Sequence, residues 1–333
     1  MDVIAWSIGI GLGALGLLVG ALALFTGWTA RRVEQVLPPL GRFIEVDGAR
    51  LHYVDEGSGP VIVLIHGLAG QMRNFTHSLL DRLKGDHRVI IVDRPGSGYS
   101  TRAPEASAAI GAQAASIARF LDALAIERPL VVGHSMGGAV ALALALNHPA
   151  SVAGLALLAP VSHPQDSVPA PFQGLAITSA LLRWLVAWTL AVPLSIANRT
   201  AALTTIFGPQ PAPDDFATKG GGLLGLRPRS FIAASRDLVA AVDDLSAMPA
   251  RYAGLNIPVG ILFGTGDRIL DPATHGEALA AKLPAAELEV IDGGGHMILI
   301  ASADRSAKFI ARMVQRAAAG AGAGAGAKAA AIE

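Results

Sequence analysis

Five runs of strand-forming apolar residues recur along the chain, and the stretches between them are long enough for helices. They read VIVLI (61–65), RVIIVD (88–93), PLVVG (129–133), VAGLALLA (152–159) and VGILFG (259–264); a sixth, LEVID (288–292), closes the series. Runs apolar at consecutive positions have no solvent face, as in strands covered on both sides of a parallel sheet. Helical stretches lie around Met72–Lys84, at Ala106–Leu124 and at Ser135–Asn147, the last stopped near Pro149. A strand–helix alternation of this kind predicts the α/β class, a mostly parallel sheet with helices on both faces. Arg42–Val46 and Leu51–Asp55 flank Asp47-Gly48, a hairpin signal ahead of the series.

Three segments fall outside that rhythm. Val3–Ala30 carries no charged residue, and Val3–Phe25 is almost wholly apolar. As a helix it reaches roughly 35 Å, enough for a hydrocarbon core of about 30 Å. A cleaved signal peptide is the alternative, although no Lys or Arg precedes the run. Gly9, Gly13, Gly16 and Gly20 at three- and four-residue spacings suit close helix approach, or are the glycine common in membrane helices. Arg31 and Arg32 follow the run, so the positive-inside tendency places the body in the cytoplasm, on a single-pass anchor.

Residues 162–250 are rich in proline and glycine and lack a clear buried strand, which predicts a helical cap inserted into the core. Within it Leu181, Trp184, Leu185 and Trp188 share one helical face. That face is packing between cap and core, a wall for an apolar substrate, or a contact with the bilayer. Arg183 and Pro193 argue against a second span. At the other end, residues 317–331 read AAAGAGAGAGAKAAA and offer nothing large to bury, predicting disorder or a frayed helix. The organisation is thus an anchor (1–30), a core (31–161 and 251–316), a cap (162–250) and a tail (317–333). Lys plus Arg equals Asp plus Glu at 26 each, which excludes the basic footprint of a nucleic-acid binder. The chain has no cysteine, so thiolate chemistry and disulfides are excluded too.

Ser135 sits in G-H-S-M-G, directly after a buried strand and at the start of a helix. With 38 glycines and 18 serines, chance supplies roughly 0.2 such matches, so the spacing alone says little. The strand–turn–helix setting says more. A turn this sharp strains the serine backbone, admits only small neighbours, and lifts the hydroxyl out at the sheet's C-terminal edge.

A serine hydroxyl needs a base in reach and an acid to orient the base. Asp267 follows VGILFGTG and His296 follows LEVIDGGG, each just past a strand and in the order Ser, acid, His. Rival acids have other readings: Asp292 braces the histidine loop, and Asp271 caps a helix starting near Pro272. His275, the other histidine beyond Asp267, is read as a surface residue. The oxyanion needs two backbone donors, expected from Met136 and from Leu68 in the loop His66–Gly70, with His66 as a brace for that loop.

HGLAG (66–70), DRPGSGYS (93–100), GHSMGG (133–138), GTGD (264–267) and GGGH (293–296) together resemble the α/β-hydrolase family, over about Arg42 to Val314. The resemblance implies a metal-free triad, acyl-enzyme chemistry and no cofactor; Asp93 and Arg94 are then structural. Members that cleave alkyl halides or epoxides carry aspartate at the elbow, where this chain has Ser135. Esters, thioesters, lactones and amides remain, with carbon–carbon bond hydrolysis and perhydrolysis beside them. The cap tryptophans Trp184 and Trp188 favour an ester with an apolar acyl group, drawn from near a lipid bilayer. A silent, membrane-tethered binding protein on the same fold is the alternative from another class.

Overall fold

In the computed structural model, residues 2–103, 105–283 and 285–330 are described. A long helix, α1 (Asp2–Val36), leads into the hairpin β1 (Arg42–Val46) and β2 (Ala49–Glu56). The alternating part then runs β3 (Val61–Ile65), two one-turn helices α2 (Arg73–Thr76) and α3 (Leu80–Leu83), β4 (Arg88–Val92), α4 (Ile110–Ala123), β5 (Leu130–His134), α5 (Met136–Asn147) and β6 (Gly154–Leu158). Helices α6 (Ala180–Trp188), α7 (Ala191–Ala197), α8 (Arg199–Phe207) and α9 (Pro228–Ala247) come before β7 (Val259–Gly264). The chain ends with α10 (Ala278–Ala281), β8 (Glu287–Ile291), α11 (Ile298–Ala301) and α12 (Ala303–Ala330).

The eight strands form one sheet in the order β1-β2-β4-β3-β5-β6-β7-β8. Pairings from β4 to β8 are all parallel, while β2 runs antiparallel to both neighbours. Ile62–Ile65, Val89–Val92 and Leu155–Leu158 are buried without interruption, which is why those runs show no alternation. The exception is β8, half-exposed at the sheet edge, with Val290 42% exposed. Helix α5 is buried on every side from Met136 to Ala145 and packs on α4, which explains a helix with no polar face. Helix α12 packs on β5, β6 and β7 and meets α3.

Parallel strands place their C-terminal ends along one rim. The residues after β3, β4, β5, β6, β7 and β8 therefore converge there, however far apart they are in sequence.

Several boundaries differ from expectation. Helix α1 continues past Arg32 to Val36, since nothing breaks it before Pro38, and its last turns bury Val33 on Leu224. The helix expected at 106–124 starts at Ile110, and the one expected at 72–84 is split into α2 and α3. The low-complexity end is helical through Ala330, and Ala317 is buried, extending the face formed by Ile310, Met313 and Val314. His275 is a correction: it is 1% exposed, and its Nδ1 accepts from Ser162 N at 3.2 Å. The turn from Pro272 folds it inward under the loop after β6, a direction that a helix start in the sequence does not encode.

Helix α1 is long and apolar enough to cross a membrane; the most apolar 18-residue stretch within Ile4–Val36 has mean hydropathy 2.3. Helices α6 and α7 meet at a 56° bend, and Arg183, Ala187, Ala191 and Val192 are buried against the body.

Candidate active site

Ser135 has φ +53° and ψ −121°, a conformation an L-residue adopts only under strain. Three backbone bonds hold it there. Its N–H donates to Leu158 O at 3.1 Å, and its carbonyl accepts from Gly138 N at 2.8 Å and Val161 N at 3.0 Å. Gly137 makes the turn possible: a Cβ there would lie 2.6 Å from His66 O and nearer still to Ile65 O. Backbone cannot retreat as a side-chain tip can. Gly137→Ala is expected to cost at least about 2–3 kcal/mol through overpacking, read as a lowered melting temperature in circular dichroism; an unchanged melt would show that the elbow has room to give.

His296 Nδ1 donates to Asp267 Oδ2 at 2.8 Å. The other oxygen, Oδ1, accepts from Ile269 N at 2.8 Å and Leu270 N at 3.0 Å. Burial alone would raise the Asp267 pKa, but the His296 charge, its hydrogen bond and the two amides hold it below the usual carboxylate range. Both side chains are almost fully buried. The rival acids do what the sequence suggests: Asp271 accepts from Thr274 N at 3.0 Å, and Asp292 accepts from Thr265 Oγ1 at 3.2 Å beside the histidine loop.

His134, the residue before the serine, makes a contact within the candidate site that sequence reasoning misses. Its Nε2 donates to His296 O at 3.1 Å, and its ring lies 4.9 Å from the His296 ring, tilted by 48°. It fastens the histidine loop to the elbow. Only its place inside G-H-S-M-G hints at this.

The loop after β3 lies against the serine: a Cβ on Gly67 would be 2.9 Å from Ser135 Cβ. Its carbonyls are drawn the other way. Arg94 Nε donates to His66 O at 2.9 Å and Nη2 to Gly67 O at 3.0 Å. In a trans peptide the N–H points opposite the C=O, so the Leu68 N–H is turned away from Arg94. Among the described residues, neither the Leu68 nor the Met136 amide donates to a protein acceptor. His66 donates from Nδ1 to Gly67 O at 2.9 Å and accepts at Nε2 from Arg94 N at 2.9 Å, bracing the loop on both sides.

Arg94 is fully buried and bonds Asp237 Oδ2 of α9 at 2.7 Å through Nη1. Arg102 bonds the other oxygen of Asp237. One buried carboxylate thus ties the α9 helix to the β3 loop, a link between distant segments that no local pattern discloses.

Trp184 and Trp188 both lie on α6. Their ring contact is with each other, at 6.4 Å; Trp184 is 52% exposed, and Trp188 lies beside Gly27 of α1. The inward side of α6 is formed by Arg183 and Ala187. Among the described residues no group of three or more His, Cys, Asp or Glu side chains is set to hold a metal ion.

Three buried histidines are expected to make the fold acid-sensitive. Burial, then the Arg94 charge, lowers His66 to about 4; burial, then His296, lowers His134 to about 3; burial, then His163, lowers His275 to about 4. Unfolded, each titrates near 6.5. Between about pH 6.5 and 4 the unfolded chain therefore binds more protons, and stability present above pH 6.5 is lost as the pH falls. Melting temperature is expected to be level from pH 8 to 7 and to drop steadily below pH 6.5, as several kcal/mol of stability in total is lost by about pH 5. A melting temperature unchanged down to pH 4.5 would contradict these burials.

A family model described as alpha/beta hydrolase fold matches residues 60–303. An uncharacterized protein of Mycobacterium tuberculosis (strain ATCC 25618 / H37Rv) is 31% identical over 283 residues, covering 80% of this chain and 78% of its own. A 2-hydroxymuconate semialdehyde hydrolase of Pseudomonas putida is 30% identical over 288 residues, covering 85% and 97%. The crystal structure of a bacterial membrane phospholipase A superposes with TM-score 0.66 at 22% identity over 95% of this chain and 99% of its own, a likeness of fold.

Proposed function

The chain belongs to the α/β-hydrolase fold family and is a hydrolase, and on that premise we propose that it cleaves carboxylic esters through an acyl-enzyme on Ser135. His296 Nε2 takes the Ser135 proton as Oγ attacks the ester carbonyl. The Leu68 and Met136 amides hold the oxyanion. The tetrahedral intermediate expels the alcohol, which receives the proton from His296, and water then cleaves the acyl-enzyme by the same proton path. Asp267, held ionised, fixes the Nδ1–H tautomer and steadies the imidazolium. The single observation that carries this reading is the 2.8 Å Asp267–His296 bond at the sheet rim where the strained Ser135 stands.

We further read α1 as a single-pass bilayer anchor, with Arg31 and Arg32 on the cytoplasmic side. A bilayer-held body favours an ester with an apolar acyl group. A fluorophosphonate probe is expected to label detergent-solubilised full-length protein at Ser135, with turnover rising from short to medium or long acyl esters. An intact but unlabelled protein would remove Ser135 as the nucleophile and with it the acyl-enzyme.

A second reading is carbon–carbon bond hydrolysis, favoured by the 30% identity to the 2-hydroxymuconate semialdehyde hydrolase along 97% of that enzyme. Assaying that class of dienoic keto-acid beside the esters separates the two readings by which one is turned over.

A further inference from the structure

Helix α6 is inside out for a helix in water. Arg183, the single charged residue of α6 and α7, is 8% exposed and turned inward, where its Nε donates to Ser235 Oγ at 2.9 Å and Nη2 bonds Ile177 O. Leu181, Leu182, Trp184 and Leu185 point outward at 68, 50, 52 and 39% exposure, and α7 continues the surface with Leu194 and Ile196. A continuous apolar surface of this kind marks a partner.

Its place in the fold says which partner. The chain's four tryptophans are Trp6 and Trp28 of α1, and Trp184 and Trp188 of α6. Trp6 and Trp28 are separated by roughly 33 Å of helix, the spacing of tryptophan belts at the two faces of a bilayer. Residues 4–25 of α1 include no buried side chain, and docking on the body begins at Thr26 and continues through Thr29, Val33 and Leu37. The body therefore starts at the level of Trp28. Helix α6 is at that same level, because the Trp188 ring lies beside Gly27, 3.8 Å from where its Cβ would be.

We propose that the outward face of α6 and α7 is sunk in the headgroup–acyl boundary of the bilayer that α1 crosses, as an interfacial amphipathic segment. The cap is then held by lipid on one side and by α9 on the other, and a bilayer-resident substrate reaches the cap without first entering water. This rests on the reading of α1 as a span.

The test uses full-length protein in phosphatidylcholine–phosphatidylglycerol vesicles, in two single-tryptophan forms with the other tryptophans changed to Phe. One form keeps Trp184 and the other keeps Trp6. Lipids brominated near the headgroup end of the acyl chain are expected to quench Trp184 at least about twofold relative to plain lipid, and Trp6 also. Adding Leu181→Glu and Leu194→Glu to the Trp184 form should abolish its quenching while the melting temperature in detergent stays the same. Trp184 equally bright in both vesicles, with Trp6 quenched, would overturn the inference and leave the anchor standing; a cross-linkable second copy shielding Trp184 from lipid would overturn it equally. Trp6 and Trp184 both unquenched would remove the anchor and the inference together.

Discussion

Ser135→Ala is expected to leave the full-length protein folded and to lower turnover of a p-nitrophenyl ester by roughly 10⁵–10⁶-fold. The size of the loss follows from the chemistry. Without Oγ there is no acyl-enzyme, and Asp267 and His296 have no nucleophile to activate; what remains is binding and the loop amides. The fold should tolerate the change because alanine at φ +53° carries the same backbone strain as serine. The bonds from Ser135 N to Leu158 O, and from Gly138 and Val161 to Ser135 O, are all backbone and survive. Melting temperature is therefore the control. Near-normal ester turnover in a variant that melts like the parent would end the assignment of Ser135.

Asp237→Ala is expected to destabilise the protein by about 3–5 kcal/mol, because two guanidinium groups lose the carboxylate that neutralises them. Arg94 has no exposed side-chain surface and Arg102 has 4%, so water cannot take over. A second effect separates this pair from an ordinary buried ion pair. Arg94 also holds His66 O and Gly67 O, and so sets which way the Leu68 amide points. Once its carboxylate is gone, Arg94 keeps Gln113 as the partner of Nη1, at 2.5 Å, but is no longer fixed from the α9 side, so its hold on the two loop carbonyls loosens. Turnover measured well below the melting transition should then fall through kcat more than KM, with Asp237→Asn retaining part of both stability and rate. A variant that melts lower but keeps the parent kcat would leave Asp237 a structural residue only.

Much of this site is legible in the chain because its determinants are local. The strained turn at Ser135 is marked by a buried strand, two flanking glycines and a helix; Asp267 and His296, proposed as its partners, each sit a few residues past a strand, where parallel topology must put them. What the sequence hides is side-chain direction. A place at the start of a helix suggests exposure for His275, yet a single turn after Pro272 rotates it inward. Leu181, Trp184, Leu185 and Trp188 share a face by helical period, but period alone does not say whether that face looks inward or outward. The structure turns it outward and hides Arg183. His134 and Asp237 escape a sequence reading for a related reason: their partners lie 162 and 143 positions away.

By itself, the amino-acid sequence determined the α/β class, the strand order along the chain, the apolar helix at the N-terminal end and the three residues proposed for the triad. Each is written in runs of a few residues, where backbone sterics and hydrophobic period act. Only the tertiary structure decided how the β3 loop is pulled back by Arg94, how α9 is bound to it through Asp237, and which side of α6 meets the surroundings. Those depend on burial, hydrogen bonding and charge pairing between segments 27 to 143 residues apart, and desolvation energies exist only once the chain has closed around them.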